Sequence, residues 1–310
     1  MDTAPSRAPD IALSTPVAKL SARELLLAAA TESARQPVGE GTYWRIVSSH
    51  ELIFNAGDYN VVRRHESEDW VPGVPDKDRV GVMRDLGARP FQAADEAAWK
   101  AAGSPNEIKV TVGDSKAKTA ALTIRPTPER VQYMAPHNGG AVFWLGENVT
   151  VEDLRNLPDD PAELKRWLLK SYKGTATEGD RKQDSDGWLF AVSLGLVTSM
   201  PITPKVGGAA FEMLAELDSI TSLGEVTDAR GRTGVGVAIK DPRREGGVVQ
   251  SRLIIDPATG QALASENTVL EPGGNFSHLE KGVRATSSVV VKAEWTDETP
   301  PAATEPRRVP

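Results

Sequence analysis

An α+β fold with a mainly antiparallel sheet is what the sequence predicts, on three observations. Period-two apolar runs fill both ends of the chain, helix signals crowd its middle, and no regular strand–helix alternation joins them. A doubly wound nucleotide-binding fold needs that alternation and is disfavoured.

Residues 1–18 (with Pro5, Pro9 and Pro16) and residues 298–310 (ETPPAATEPRRVP) read as disordered tails around a single domain over 19–297. The first helix is expected from Ser21, where Ser21 and Glu24 make an S-x-x-E capping box ahead of Leu25, Leu26, Ala28 and Ala29. Thr42–Phe54 follows as a strand, Trp44, Ile46, Leu52 and Phe54 alternating with Arg45, Ser49 and Glu51. NAGD supplies a turn into a second, heavily charged strand, Tyr59–Val71. Residues 72–105 are rich in Pro, Gly and Asp and hold one short helical candidate, Asp95–Ala102. NEIKVTVGD and TAALTIRP read as a hairpin, and Val142–Leu145 as a weaker strand.

The middle switches period. Asp160 is an N-cap, Pro161 suits the first helical position and Glu163 completes the box, with Leu164, Trp167, Leu168 and Tyr172 on one face. DGWLFAVSLGLVTSM (186–200) is apolar nearly all round, which predicts a helix buried on most sides. Thr203-Pro204 opens a third helix whose buried side is Ala210, Phe211, Met213, Leu214 and Leu217. Then the sheet resumes. LGEVTDARGRTGVGVAIKD and VVQSRLIIDPATGQALASENTVL are two strand–turn–strand units. In the last strand, Val283–Trp295, the alternation puts Val283, Ala285, Val289, Val291, Ala293 and Trp295 on one face.

Composition narrows the classes. A net charge of −7 over 310 residues makes no electrostatic case for nucleic acid or an anionic membrane surface. The longest apolar run, Trp188–Val197, is about half of the ~18 residues a membrane span needs. The chain opens in polar, Pro-rich sequence without a signal peptide, so a membrane anchor is expected to be either removed or absent. With no cysteine there is no disulfide, thiolate metal site or cysteine nucleophile, and the compartment stays open.

Motifs that could carry chemistry have structural readings. In Asp256-Pro257-Ala258-Thr259-Gly260, Pro presets the turn, Asp favours its first position and Gly supplies a left-handed residue; Asp228–Gly231 repeats the device one hairpin earlier. Ser115 and Lys118 match S-x-x-K, but between two β-patterned runs rather than at a helix start. GRTGVGV runs into β-branched residues, so no helix N-terminus follows to cradle a phosphate. His50-Glu51 lacks the second histidine of a zincin helix. The four histidines are too scattered to suggest a metal, and His50 reads as a hydrogen-bonded core histidine. Asn148-Val149-Thr150 and Asn275-Phe276-Ser277 match glycosylation acceptors. No catalytic residue, metal or cofactor is expected. Of seven tryptophans, Trp44, Trp144, Trp167, Trp188 and Trp295 fall at inward-facing or helix-buried positions, around either a filled core or a ligand cavity.

ARELLLAAA, GTYWRI, ADEAAWKAAGSP, LPDDPAELKRWLL, LGEVTDARGRTGVGVA and RLIIDPATGQALA occur in this order. Together, over about residues 20–270, they resemble an actinobacterial family of membrane-anchored proteins encoded beside extracytoplasmic-function sigma factors. The resemblance implies a short cytoplasmic segment, one N-terminal membrane helix and an extracytoplasmic, envelope-associated domain, of which this chain looks like the outer part. It carries over no catalytic residue. More loosely, the order of elements is similar to the lipoprotein-carrier and RseB-like fold. That likeness implies a curved, incomplete antiparallel barrel wrapped around a central cluster of helices.

The expected function is therefore a non-enzymatic extracytoplasmic binding or sensor domain. It holds a lipid or lipoprotein-like apolar ligand between sheet and helices and is linked to envelope-stress sigma-factor regulation. The expected lining residues are Trp167, Leu168, Trp188, Phe190, Leu194, Phe211 and Met213. The alternatives are a protein-interaction module with a closed core and an envelope protein partner, and a serine hydrolase using Ser115 and Lys118.

Overall fold

A computed structural model of the chain describes residues 20–74, 77–112, 118–124, 130–137, 140–177, 179, 181–243 and 246–301. Helix α1 (Ala22–Arg35) begins at the expected box: the Ser21 hydroxyl accepts the Glu24 N–H, and the Glu24 carboxylate accepts the Ser21 N–H at 2.8 Å. Strands β1 (Tyr43–Asn55) and β2 (Asn60–Pro72) form one hairpin in unbroken register from Tyr43↔Pro72 to Asn55↔Asn60. Trp44, Ile46, Leu52 and Phe54 consequently share a face, as their alternation predicts.

The stretch 72–105 holds more than a helix. Strand β3 (Arg79–Pro90) runs beside β2, ahead of α2 (Ala93–Ala101). Glycines hid it from periodicity: the β2–β3 register slips between Arg63 and His65, opposite Gly87 at φ 80°, and a bulge breaks a period-two pattern. Strands β4 (Glu107–Val112) and β5 (Lys118–Thr123) are the expected hairpin. A strand without a sequence expectation, β6 (Arg130–His137), pairs with β3. Strands β7 (Val142–Trp144) and β8 (Glu147–Val149) form a small hairpin. Helix α3 (Val151–Arg155) is capped by Thr150, whose hydroxyl accepts the Asp153 N–H at 3.1 Å while Asp153 accepts the Thr150 N–H at 2.8 Å. The glycosylation-like triplet 148–150 is thus part strand, part helix cap.

Helix α4 (Pro161–Leu169) starts at Asp160 as expected, with one correction. Asp160 accepts the Glu163 N–H at 2.9 Å, but Glu163 turns to Arg166 at 3.6 Å instead of closing the box. Helix α5 (Ser185–Ser199) is the apolar helix, and α6 (Pro204–Ala215) is capped by Thr203. At Gly208 an added Cβ would lie 3.1 Å from the Ala30 carbonyl oxygen and 3.1 Å from Ala34 Cβ, so the glycine lets α6 pack close against α1.

Four strands and a fifth complete the sheet: β9 (Thr221–Thr227), β10 (Thr233–Pro242), β11 (Val248–Ile255), β12 (Ala262–Glu271) and β13 (Arg284–Thr296). Both aspartate turns hold. Asp256 accepts the Ala258 N–H and the Thr259 hydroxyl, each at 2.9 Å, with Gly260 at φ 67°; Asp228 accepts the Arg230 and Arg232 N–H groups at 2.8 and 3.0 Å. Among the described residues the main sheet has nine antiparallel strands in the order β6-β3-β2-β1-β13-β12-β11-β10-β9. Its first and last strands do not meet, so it is not closed into a barrel.

Cross-strand register shows what each face does. The row Leu253, Ser265, Ser288, His50, His65, Asp85 crosses six strands on one face. At one end of that face Val237, Leu253 and Ile255 join the helices in the main core, with Trp188, Phe190, Phe211 and Met213. At the other end Phe54, Val61 and Ala88 pack under the β4–β5 hairpin and Trp99. Between these ends the face is polar. The opposite face carries two small clusters, Ile254–Ala264–Val289 and Ile53–Val62–Ala285 with Leu279.

The last strand corrects the sequence reading. The β1–β13 register slips between Val47, opposite Lys292, and Ser48, opposite Val290, leaving Val291 as an extra, exposed residue. Alternation reverses there. Ala285 and Val289 lie on the outer face with Lys292 and Glu294, while Ala293 and Trp295 lie on the helix face with Val290.

Candidate functional site

A cleft lies beside the bulge at Val291. The β12–β13 ladder runs from Thr268↔Arg284 only to Ala264↔Val289, and beyond it β13 continues without β12 beside it. The gap, about 340 Å³, is roofed by the end of α1, the α5–α6 connection and the β11–β12 turn. Its apolar walls include Trp44, Met200, Ile202, Phe211, Val290 and Trp295. That volume and lining fall in the range of small-ligand sites, ~300–1,000 Å³.

Each wall is held for a local reason. Trp44 and Trp295 are directly cross-strand, with ring centroids 5.7 Å apart and tilted by 55°. The Trp44 indole N–H donates to the Ser199 carbonyl at 2.9 Å, fixing the ring on the end of α5. Met200 and Ile202 sit in the short link that Pro201 and Pro204 force between α5 and α6. Charges at the rim are already paired: Arg232 with Asp228 at 2.7 Å, and Lys292 with Glu294 at 2.5 Å. The cleft therefore offers apolar surface to a ligand and little net charge.

The expected lining residues divide. Phe211 lies against the cleft. Leu168, Trp188, Phe190 and Met213 are 0–1% exposed within the main core, and Trp167 and Leu194 are partly buried against it. Trp167 stacks on Trp144 with centroids 6.0 Å apart. Helical periodicity marks which side of a helix is buried; it does not separate side chains that fill a core from those that border a gap. The gap is bordered by a strand bulge and a proline-bounded link. MPITP was a visible signal for the latter. Ser115 lies outside the described residues, and Lys118 opens β5. Among the described residues no three His, Cys, Asp or Glu side chains converge on a metal position, and no helix is long and apolar enough to cross a membrane.

The polar strip has its own chemistry. His50 and His65 stack at 4.6 Å between centroids, 15° from parallel, and His50 Nε2 bonds the Ser67 hydroxyl at 2.9 Å. Burial pushes the His65 pKa down to about 4, helped by His50 and Arg63 and opposed by Asp85. Burial likewise lowers that of His50, against the pull of Asp69. Since the unfolded chain takes up protons first, near 6.5, the stability due to a neutral His65 is present above that value. It is lost as pH falls from 6.5 to about 4. The urea midpoint should accordingly fall through this window, and His65→Gln should flatten the fall. A variant that tracks wild type throughout would remove His65 as the cause.

Comparison with known proteins finds no family model that matches the chain and no curated protein that matches it.

Proposed function

We propose that this is a non-enzymatic extracytoplasmic binding domain that holds an apolar or amphipathic ligand, a lipid or lipoprotein-like segment, in the cleft beside β13. One observation carries the reading: a gap in the sheet walled by Trp44, Met200, Phe211 and Trp295, whose rim charges neutralise one another. A gap of that kind loses little on taking up an apolar group and discriminates against an ion. The proposed ligand lies beside the interrupted ladder, against Phe211, and not among Leu168, Trp188, Phe190 and Met213, which are 0–1% exposed. In this proposal the sheet is a curved, incomplete barrel of lipoprotein-carrier type; its open order and the helices on one face support that shape. Coupling to envelope-stress sigma-factor regulation, through the membrane helix the resemblance implies, belongs to the same proposal. Ligand would favour one packing of α5 and α6 against the sheet.

The test is mass spectrometry of the denatured, organic-extracted protein for bound lipid, with 1-anilinonaphthalene-8-sulfonate as a binding probe. Trp44→Ala is expected to weaken the probe about tenfold, the loss of ~1.4 kcal/mol of apolar contact. A lipid-free extract together with probe binding equal in wild type and Trp44→Ala would refute the reading.

A second reading rests on a different observation. From Val290 to Thr296, β13 has a partner strand on its β1 side only among the described residues. An extended peptide added at that edge would make the domain a protein-interaction module with an envelope partner.

A further inference from the structure

A second cleft adjoins the first. It encloses about 380 Å³, and Gln36, Thr203 and Pro204 line both. Its other walls bring Arg155, Asp159 and Lys205 together. The two clefts are electrostatically unlike: the charges on the first are paired, whereas the cations of the second have no carboxylate partner among the described residues.

Arg155 joins the two. Its guanidinium lies 4.4 Å from the centroid of the Trp295 ring, on the wall of the apolar cleft, while its side chain also lines the second cleft. One of its N–H groups donates to the Gly39 carbonyl at 3.3 Å, which leaves most of the donor fork open. A half-buried guanidinium held over an indole and by one carbonyl is preorganised for a planar or tetrahedral oxyanion, since part of its side-chain freedom is already lost. Lys205, exposed at the start of α6, adds a second positive charge to the same cleft. Among the described residues that line this cleft Asp159 is the one anion, so the cations exceed it by one.

We infer that the paired clefts hold an amphiphile with one anionic head, a phosphate monoester or carboxylate, its chain against Trp44, Met200 and Phe211 and its head between Arg155 and Lys205. This rests on the function proposed above and names the ligand class for that site. The chain binds by apolar burial and the head by charge-assisted hydrogen bonds. Head-group selectivity and chain affinity therefore depend on different residues.

The experiment measures affinities of dodecyl phosphate, dodecanoate, dodecanol and dodecyltrimethylammonium by displacement of 1-anilinonaphthalene-8-sulfonate. All are used below the concentrations at which they form micelles. Both anions are expected to bind about tenfold or more tightly than dodecanol, the ammonium most weakly, with the preference shrinking as salt rises. Arg155→Met and Lys205→Met should each reduce the preference and leave dodecanol unchanged. Asp159→Asn should increase it, and Trp44→Ala should weaken all four probes together. If Arg155→Met fails to fold, Lys205→Met and Asp159→Asn, both at exposed positions, still test opposite signs. Equal binding of dodecanol and the anions, or a preference that survives Arg155→Met with Lys205→Met, overturns this inference alone. Failure of every probe to bind overturns it together with the proposed function. The two anions compared with each other identify which head the site prefers.

Discussion

Glu266→Ala should cost ~3 kcal/mol of stability, because it strands the largely buried Arg252 guanidinium. The Glu266 carboxylate is fully buried on the outer face of the sheet. It accepts Arg252 Nε at 2.8 Å, with Arg252 Nη2 on the same oxygen, and on its other oxygen the Ser287 hydroxyl at 3.0 Å and the Ala229 N–H at 3.1 Å. Arg284 stands 3.6 Å away. Those bonds join β11, β12 and β13 and tie down the β9–β10 turn, so one side chain links four parts of the sheet. In urea the midpoint should fall with an unchanged slope. Replacing both charged partners, Arg252→Met with Glu266→Leu, should recover part of the loss, since no charge is then left unpaired; the Ala229 N–H and Ser287 remain without their acceptor. A Glu266→Ala variant within about 1 kcal/mol of wild type would show that solvent already screens the cluster.

Trp188→Ala is the second large effect, ~3–5 kcal/mol, as transfer and cavity terms add when a fully buried aromatic is removed. Trp188 is 1% exposed, with its ring 5.5 Å from that of Tyr172, whose hydroxyl donates to the Gln183 carbonyl at 2.6 Å. The expected signature is a loss of stability without loss of probe affinity, the reverse of Trp44→Ala. Should Trp188→Ala instead weaken the probe at near-normal stability, the ligand would sit in the interior and not beside β13. Paired with Trp44→Ala, it separates a tryptophan that fills a core from one that borders a gap.

The same contrast shows what could be read in advance. Ser21 with Glu24, Asp160 before Pro161, and Thr203 before Pro204 announced helix starts that the structure keeps, because an N-cap acts over three or four residues. Asp256 and Asp228 announced turns for the same reason: the carboxylates reach N–H groups two to four residues on. Strand β3 was missed because Gly81 and Gly87 interrupt its pattern, and a bulge in a ladder is a property of two strands. Of the candidate site, Trp44, Trp295 and Phe211 were flagged as inward-facing, but their meeting at one cleft was not. Arg155 carried no signal at all. Its place depends on a five-residue helix docking beside a ring 140 positions later.

What the sequence determined by itself is local: most of the strands and helices, though not β3 or β6, where caps and turns fall, and that the sheet pairs antiparallel. Each of these is a short-range matter of backbone conformation, side-chain period and hydrogen bonds a few residues long. Tertiary structure alone decided where the sheet comes apart. The extra residue at Val291 reverses the faces of β13, and β12 turns away at Ala262 while β13 runs on to Thr296; neither consequence exists until β1, β12 and β13 lie side by side. That gap, with the Arg155 guanidinium over the Trp295 ring at its edge, is the candidate site.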